Sequence, residues 1–149
     1  MILVDANLLL YAANHAAPEH AVARDWLDAR LSGTARVGLP WPSLLAFVRL
    51  ASNPLVVRHP ASVAQAWTQV SDWLRADVAW IPQPTERHTE IFGALCQLPS
   101  ISSRLVPDAH LAALAIEHGL TLCSTDGDFA KFPDLTWENP LTGAPRRGR

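Results

Sequence analysis

The chain is poor in cysteine: 149 residues contain two, Cys96 and Cys123. They lie far apart and in no ligand-like spacing with histidine, which excludes a zinc module and a disulfide framework. Both are expected to be buried free thiols. No apolar run approaches the ~18 to 20 residues that a membrane helix requires, and the N-terminus lacks the basic start of a secretion signal. A cytoplasmic protein with no membrane partner is the expectation. Lysine is scarcer still, Lys131 being the lone one among twelve basic residues, and the formal net charge is -2. A generally basic nucleic-acid binder is thereby excluded, so any polyanion must be held locally.

What the chain does have is 49% apolar and 17% charged residues, a globular composition. Its length suits one domain. Met1 to Val4 reads as a strand buried on both faces, followed by a helix from Ala6 to about Asn14. Pro18 opens a second helix that stops at Gly33, and "RVGLP" is a second strand. "PSLLAFVRLAS" is a helix ended by Asn53-Pro54. Val63, Ala66, Trp67, Val70 and Leu74 recur at helical steps. "VAWIP" is a third strand, and a helix after Pro84 covers Ile91, Leu95 and Leu98. "LPSISSRL" reads as a polar connection, Pro107 to His118 as a helix capped by Gly119, "LTLCS" as a fourth strand, "DGDFAKF" as a turn with a short helix, and "LTWEN" as a last strand. Alternating strands and helices predict an α/β fold, a mostly parallel central sheet covered on both faces. Residues 1–141 form the domain. The remainder, 142–149, reads as a basic disordered tail, either a frayed end or an arm that touches RNA.

In an open parallel sheet, ligands bind beyond the carboxyl ends of the strands. Asp5 stands there in "MILVDANLLLYA", after strand one, and Asp126 and Asp128 stand there in "LTLCSTDGDF", after strand four. Asp108 occupies the first turn of a helix in "VPDAHLAALA". Singly, each has an ordinary explanation in helix dipoles or turn chemistry. Together they repel: two carboxylates ~5 Å apart at an effective dielectric of ~20 cost roughly 3 kcal/mol. Protons or a divalent cation must relieve that, and a site of oxygen ligands without Cys or His suits Mg2+ or Mn2+. Such an ion polarises a phosphoryl oxygen and acidifies a bound water.

"MILVDANLLLYA", "LVPDAHLAALAIEHG" and "LCSTDGDFAKFPDLTWENPL", in this order, resemble the PIN-domain family, and within it the VapC toxins of bacterial toxin-antitoxin pairs. The resemblance spans Met1 to about Leu141. It implies a three-layer α/β/α sandwich and a Mg2+- or Mn2+-dependent endoribonuclease that cleaves RNA, is inhibited by a VapB antitoxin and is commonly a homodimer. Asp5, Asp108 and Asp126 match the family's metal-holding acids, Asp128 a frequent additional one, and Asn7 and Ser124 polar supporting places. The chain departs from the family where many members carry a Glu in the helix after strand two: Phe47 stands there, and Asp128 is the candidate to compensate.

Arg49 is read either as a phosphate contact or as half of a structural salt bridge. His110, two residues past Asp108, should face away from it on a helix. Trp26, Trp67 and Trp73 read as core packing rather than as base-stacking platforms. Two competing functions bear on the same residues. Aspartyl-phosphate phosphatases need "DxD" after strand one, where this chain has "DAN". A catalytically silent PIN-like module that binds RNA or protein is motivated by the missing Glu and opposed by four acids in register.

Overall fold

The computed structural model describes residues 1–142 and the backbone of Arg146–Arg147. Strand β1 (Ile2–Val4) leads into helices α1 (Ala6–Ala13) and α2 (His20–Leu31). Strand β2 (Val37–Gly38) then opens the hairpin of α3 (Trp41–Ala51) and α4 (Val63–Leu74). After β3 (Ala79–Trp80) come α5 (His88–Cys96), a 3-10 turn (Ser103–Leu105) and α6 (Val106–His118). Strand β4 (Thr121–Cys123), a second 3-10 turn (Gly127–Lys131) and β5 (Thr136–Glu138) follow. The two-residue β6 (Arg146–Arg147) pairs antiparallel with β5. Of the segment read as a tail, 143–145 and 148–149 lie outside the described residues.

The sheet runs β3-β2-β1-β4-β5-β6, and its first five strands are parallel. β1 is central, which explains its unbroken apolar run. Alternate side chains of a strand point to opposite faces, so Ile2 and Val4 join one core with α1 to α4 while Leu3 joins the other with α6. β4 divides likewise, Cys123 to the first core and Leu122 to the second. The result is the expected three-layer sandwich. Gly38 is required where β1, β2 and β3 crowd: a Cβ there would lie 3.2 Å from Ile2 O and 3.1 Å from Pro82 Cγ. Gly119 ends α6 at φ 66°, a left-handed cap that glycine adopts without strain.

Three local expectations need correction. Cys96 is exposed, and only Cys123 is a buried thiol; Cys96 closes α5, whose buried contact is Leu95. Trp67 is 45% exposed. The buried face of α4 is Ala66, Val70 and Trp73, and Trp67 lies about 100° round the helix from Ala66. "LPSISSRL" is more than a polar link, because its 3-10 turn buries Leu105 immediately before α6. No helix among the described residues is long and apolar enough to cross a membrane.

Candidate active site

The parallel register of β1 and β4 places Val4 beside Cys123. The next residues of both strands, Asp5 and Ser124, therefore meet at the carboxyl edge. The ladder runs one step further, with Asp5 N donating to Cys123 O at 3.0 Å, and Trp137 Nε1 holds Ser124 O at 3.1 Å. Asp5 caps α1, accepting from Ala6 N through Oδ1 at 2.8 Å.

Ser124 is the hub. Its hydroxyl donates to Asp5 Oδ2 at 2.7 Å and accepts from Asn7 Nδ2 and from Asp126 N, each at 3.0 Å. One donor and two lone pairs are thus fully used. Asn7 closes the network by accepting from Thr125 N at 3.4 Å. Asp126 Oδ1 in turn caps the following 3-10 turn, accepting from Asp128 N at 2.9 Å. Asp5, Asn7, Ser124 and Asp126 are one connected unit.

Asp108 joins by charge rather than by hydrogen bonds. It is half-buried in the first turn of α6, and its carboxyl has no hydrogen-bond partner among the described residues. Burial pushes its pKa up to about 6, with further upward contributions from Asp5, Asp126 and Asp128 and a partial offset from Arg104. Burial also raises Asp5, against the lowering effect of its bonds from Ser124 and Ala6. Asp128 goes the other way. Arg104 Nη1 holds its Oδ2 at 2.9 Å and Lys131 Nζ its Oδ1 at 3.1 Å, and both lower its pKa.

These two cations were missed in the sequence. Arg104 precedes Asp108 by four residues and Lys131 follows Asp128 by three, a spacing that brings neighbours together on a helical turn and was the available signal for Lys131. Arg49, by contrast, is exposed in the last turn of α3 and makes no ion pair among the described residues. His110 engages His88, at 3.1 Å, rather than the acids. Phe47 is 1% exposed and packs on Trp73 with ring centroids 4.8 Å apart, so α3 supplies apolar core where a Glu would bring charge.

No three Asp, Glu, His or Cys side chains among the described residues are grouped closely enough to ligate one ion directly in this conformation. The donor set nevertheless fits a hard ion that keeps much of its water, as Mg2+ does with one or two carboxylates. Asp108 is an acid with no hydrogen-bond partner among the described residues. An unanswered carboxyl among mutually repelling acids is what such an ion would satisfy.

A parallel α/β sandwich with acids gathered after β1 and β4 and at the start of α6 defines the class. The PIN-domain profile matches residues 2–135, and the chain belongs to the PIN-domain family. More particularly, it is VapC-like. It is 45% identical to ribonuclease VapC37 of Mycobacterium tuberculosis over 94% of this chain and 97% of that protein. With ribonuclease VapC33 of the same species the identity is 37% over 95% and 99%. VapBC2 of Rickettsia felis, solved bound to a DNA fragment from its promoter, shares the fold at a TM-score of 0.68 and 20% identity, over 93% of this chain and 98% of that one.

Proposed function

We propose that the protein is a Mg2+- or Mn2+-dependent endoribonuclease, the toxin of a type II toxin-antitoxin pair, held inactive by a VapB-type antitoxin. The observation that carries the reading is Asp108, half-buried at the start of α6 with no hydrogen-bond partner among the described residues, its pKa raised to about 6 by burial and by the carboxylates around it. Asp5, Asp108 and Asp126 would hold the ion, and the catalytic set includes Asp128. When bound, the ion would neutralise phosphodiester charge and acidify a water for attack on phosphorus. Ser124 fixes the rotamer of Asp5 and the turn of Asp126 together, and Asn7 fixes Ser124. Asp108 must give up its proton before it can serve. Mn2+ titration by calorimetry tests the reading: binding that disappears in Asp5→Ala or Asp126→Ala supports it, and no binding by the wild-type chain leaves the silent module.

Two surfaces suit the proposed partners. A pocket of about 210 Å³ lies between α1 and the α3-α4 hairpin, lined by apolar Leu10, Phe47, Val57 and Ala66 and by polar His15, His59 and Gln69. It suits an apolar side chain of the antitoxin, whose neighbouring arginine would fork two acids where the ion otherwise sits. Changing that arginine to glutamate should restore cleavage in the complex. Trp41, Leu45, Val63 and Trp67 form an exposed apolar face on the same hairpin, its indoles parallel within 1°. Exposed apolar faces of this kind mark protein contacts, and we assign it to the homodimer. Trp67→Glu should then sediment as a monomer.

A further inference from the structure

We infer that Arg104 is a positioning residue for the substrate, a guanidinium parked on Asp128 whose remaining donors take a backbone phosphate of the single-stranded RNA. This deepens the ribonuclease reading and rests on it. The ion pair with Asp128 has the look of a surface salt bridge, yet it is one of two on the same carboxylate. Lys131 also answers the same carboxylate through the other oxygen, at 3.1 Å, so two cations share one carboxylate at the rim of the acids.

The Arg104 charge is held at its root and free at its tip. Leu105, the next residue, is 1% exposed and anchors the 3-10 turn, while the Arg104 side chain is 68% exposed. A guanidinium carries five N–H donors in a planar fork. Among the described residues only Nη1 of Arg104 is engaged, with Asp128 Oδ2. The remaining donors have the geometry that binds phosphate in pairs. Asp126 and Asp108 also lie near enough to make the guanidinium more basic. Arg104 thus sits beside the carboxylates proposed to carry the reaction.

The need follows from charge. An RNA strand brings one negative charge per nucleotide to a site of four carboxylates in a chain of net charge -2. A cation at the rim supplies attraction to the phosphate flanking the scissile one. Binding to single strands weakens with salt by about 0.7 in log K per log salt for each phosphate neutralised.

The test is fluorescence anisotropy of a labelled single-stranded RNA with the full chain in Ca2+, over about 50 to 200 mM KCl, with RNA integrity checked on gels. Arg104→Gln should flatten the salt slope by about 0.7, and Arg104→Lys should restore it, since lysine keeps the point charge. Arg75→Gln, which removes a cation paired with Asp72 on α4, should leave the slope alone. In Arg104→Gln, Mn2+ affinity by calorimetry should hold or rise, because a positive charge has left the acids. A native melting curve for Arg104→Gln with the wild-type salt slope overturns the inference, as does equal flattening in Arg75→Gln. Should wild type bind and cleave RNA while Arg104→Gln matches it, only this inference fails. Should wild type neither bind nor cleave RNA, the ribonuclease reading fails and takes the inference with it.

Discussion

Helix α6 carries an acid near each end, and the two have opposite fates. Glu117, near its C-terminus, has a side chain wholly shielded from solvent, with Oε1 accepting from Thr85 N at 3.1 Å and Oε2 paired with His88 Nδ1 at 3.0 Å. His88 hands the contact on to His110. Asp108, at the start, is less shielded and has no hydrogen-bond partner among the described residues. Burial therefore does not distinguish an acid proposed to work from a structural one. What distinguishes them is whether the charge is answered. Glu117 ties α5 to α6 through donors that match it, while Asp108 lies among other carboxylates with no donor to answer it among the described residues.

The largest effect should separate the two ends by opposite failures. Asp108→Ala, like Asp5→Ala and Asp126→Ala, should abolish cleavage and growth inhibition while the metal-free melting temperature holds or rises. Glu117→Ala should keep Mn2+ binding yet lose on the order of 1 kcal/mol of stability, because Thr85 N and the His88 ring lose their shared acceptor. Calorimetry and thermal melts on both variants check this. A stable, inactive Glu117→Ala would break the comparison.

Next comes pH. The folded pKa of Asp108, about 6, lies above its ordinary value of 3.8, so the folded state holds a proton that the unfolded state has released. Stability of the metal-free protein should therefore fall as pH rises from about 3.8 to about 6. Asp108→Asn should raise the melting temperature above this window and change it little below. Metal binding has the reverse trend, since the proton must leave first: Mn2+ affinity should drop as pH falls below about 6. A flat profile in both measurements would remove Asp108 from the charge cluster.

A smaller effect is expected at Asp128. Asp128→Asn should raise the Mn2+ requirement for cleavage, because one acid is lost and because Arg104 and Lys131 are released toward the others. Combining it with Arg104→Gln sharpens the outcome. Recovery in the double variant assigns the effect to the freed arginine, and no recovery assigns it to the lost carboxylate. The smallest effect should come from Ser124→Ala, which leaves Asp5 Oδ2 without its 2.7 Å donor. Cleavage should weaken without vanishing, and the Asp5 pKa should rise further, observable by NMR titration of its carboxyl.

Order and type of element were legible because their signals are local. Three successive apolar residues at Ile2 to Val4 mean a strand covered on both faces, proline near the start of α6 and glycine at its end mark where it begins and stops, and an acid directly after a parallel strand lands at the ligand edge. Asp5 and Asp126 could be named on that basis and Asp108 from the first turn of its helix, with Asn7 and Ser124 coming from the family resemblance. The partners of those acids were decided only in three dimensions. Arg104 meets Asp128 across 24 residues and Ser124 meets Asp5 across 119, contacts that no periodicity encodes. They exist because β1 and β4 lie side by side in register and because Leu105 pins the turn before α6. Trp67 and Cys96 turned outward for the same reason. The apolar period allows a helix several inward faces, and the neighbouring elements select one.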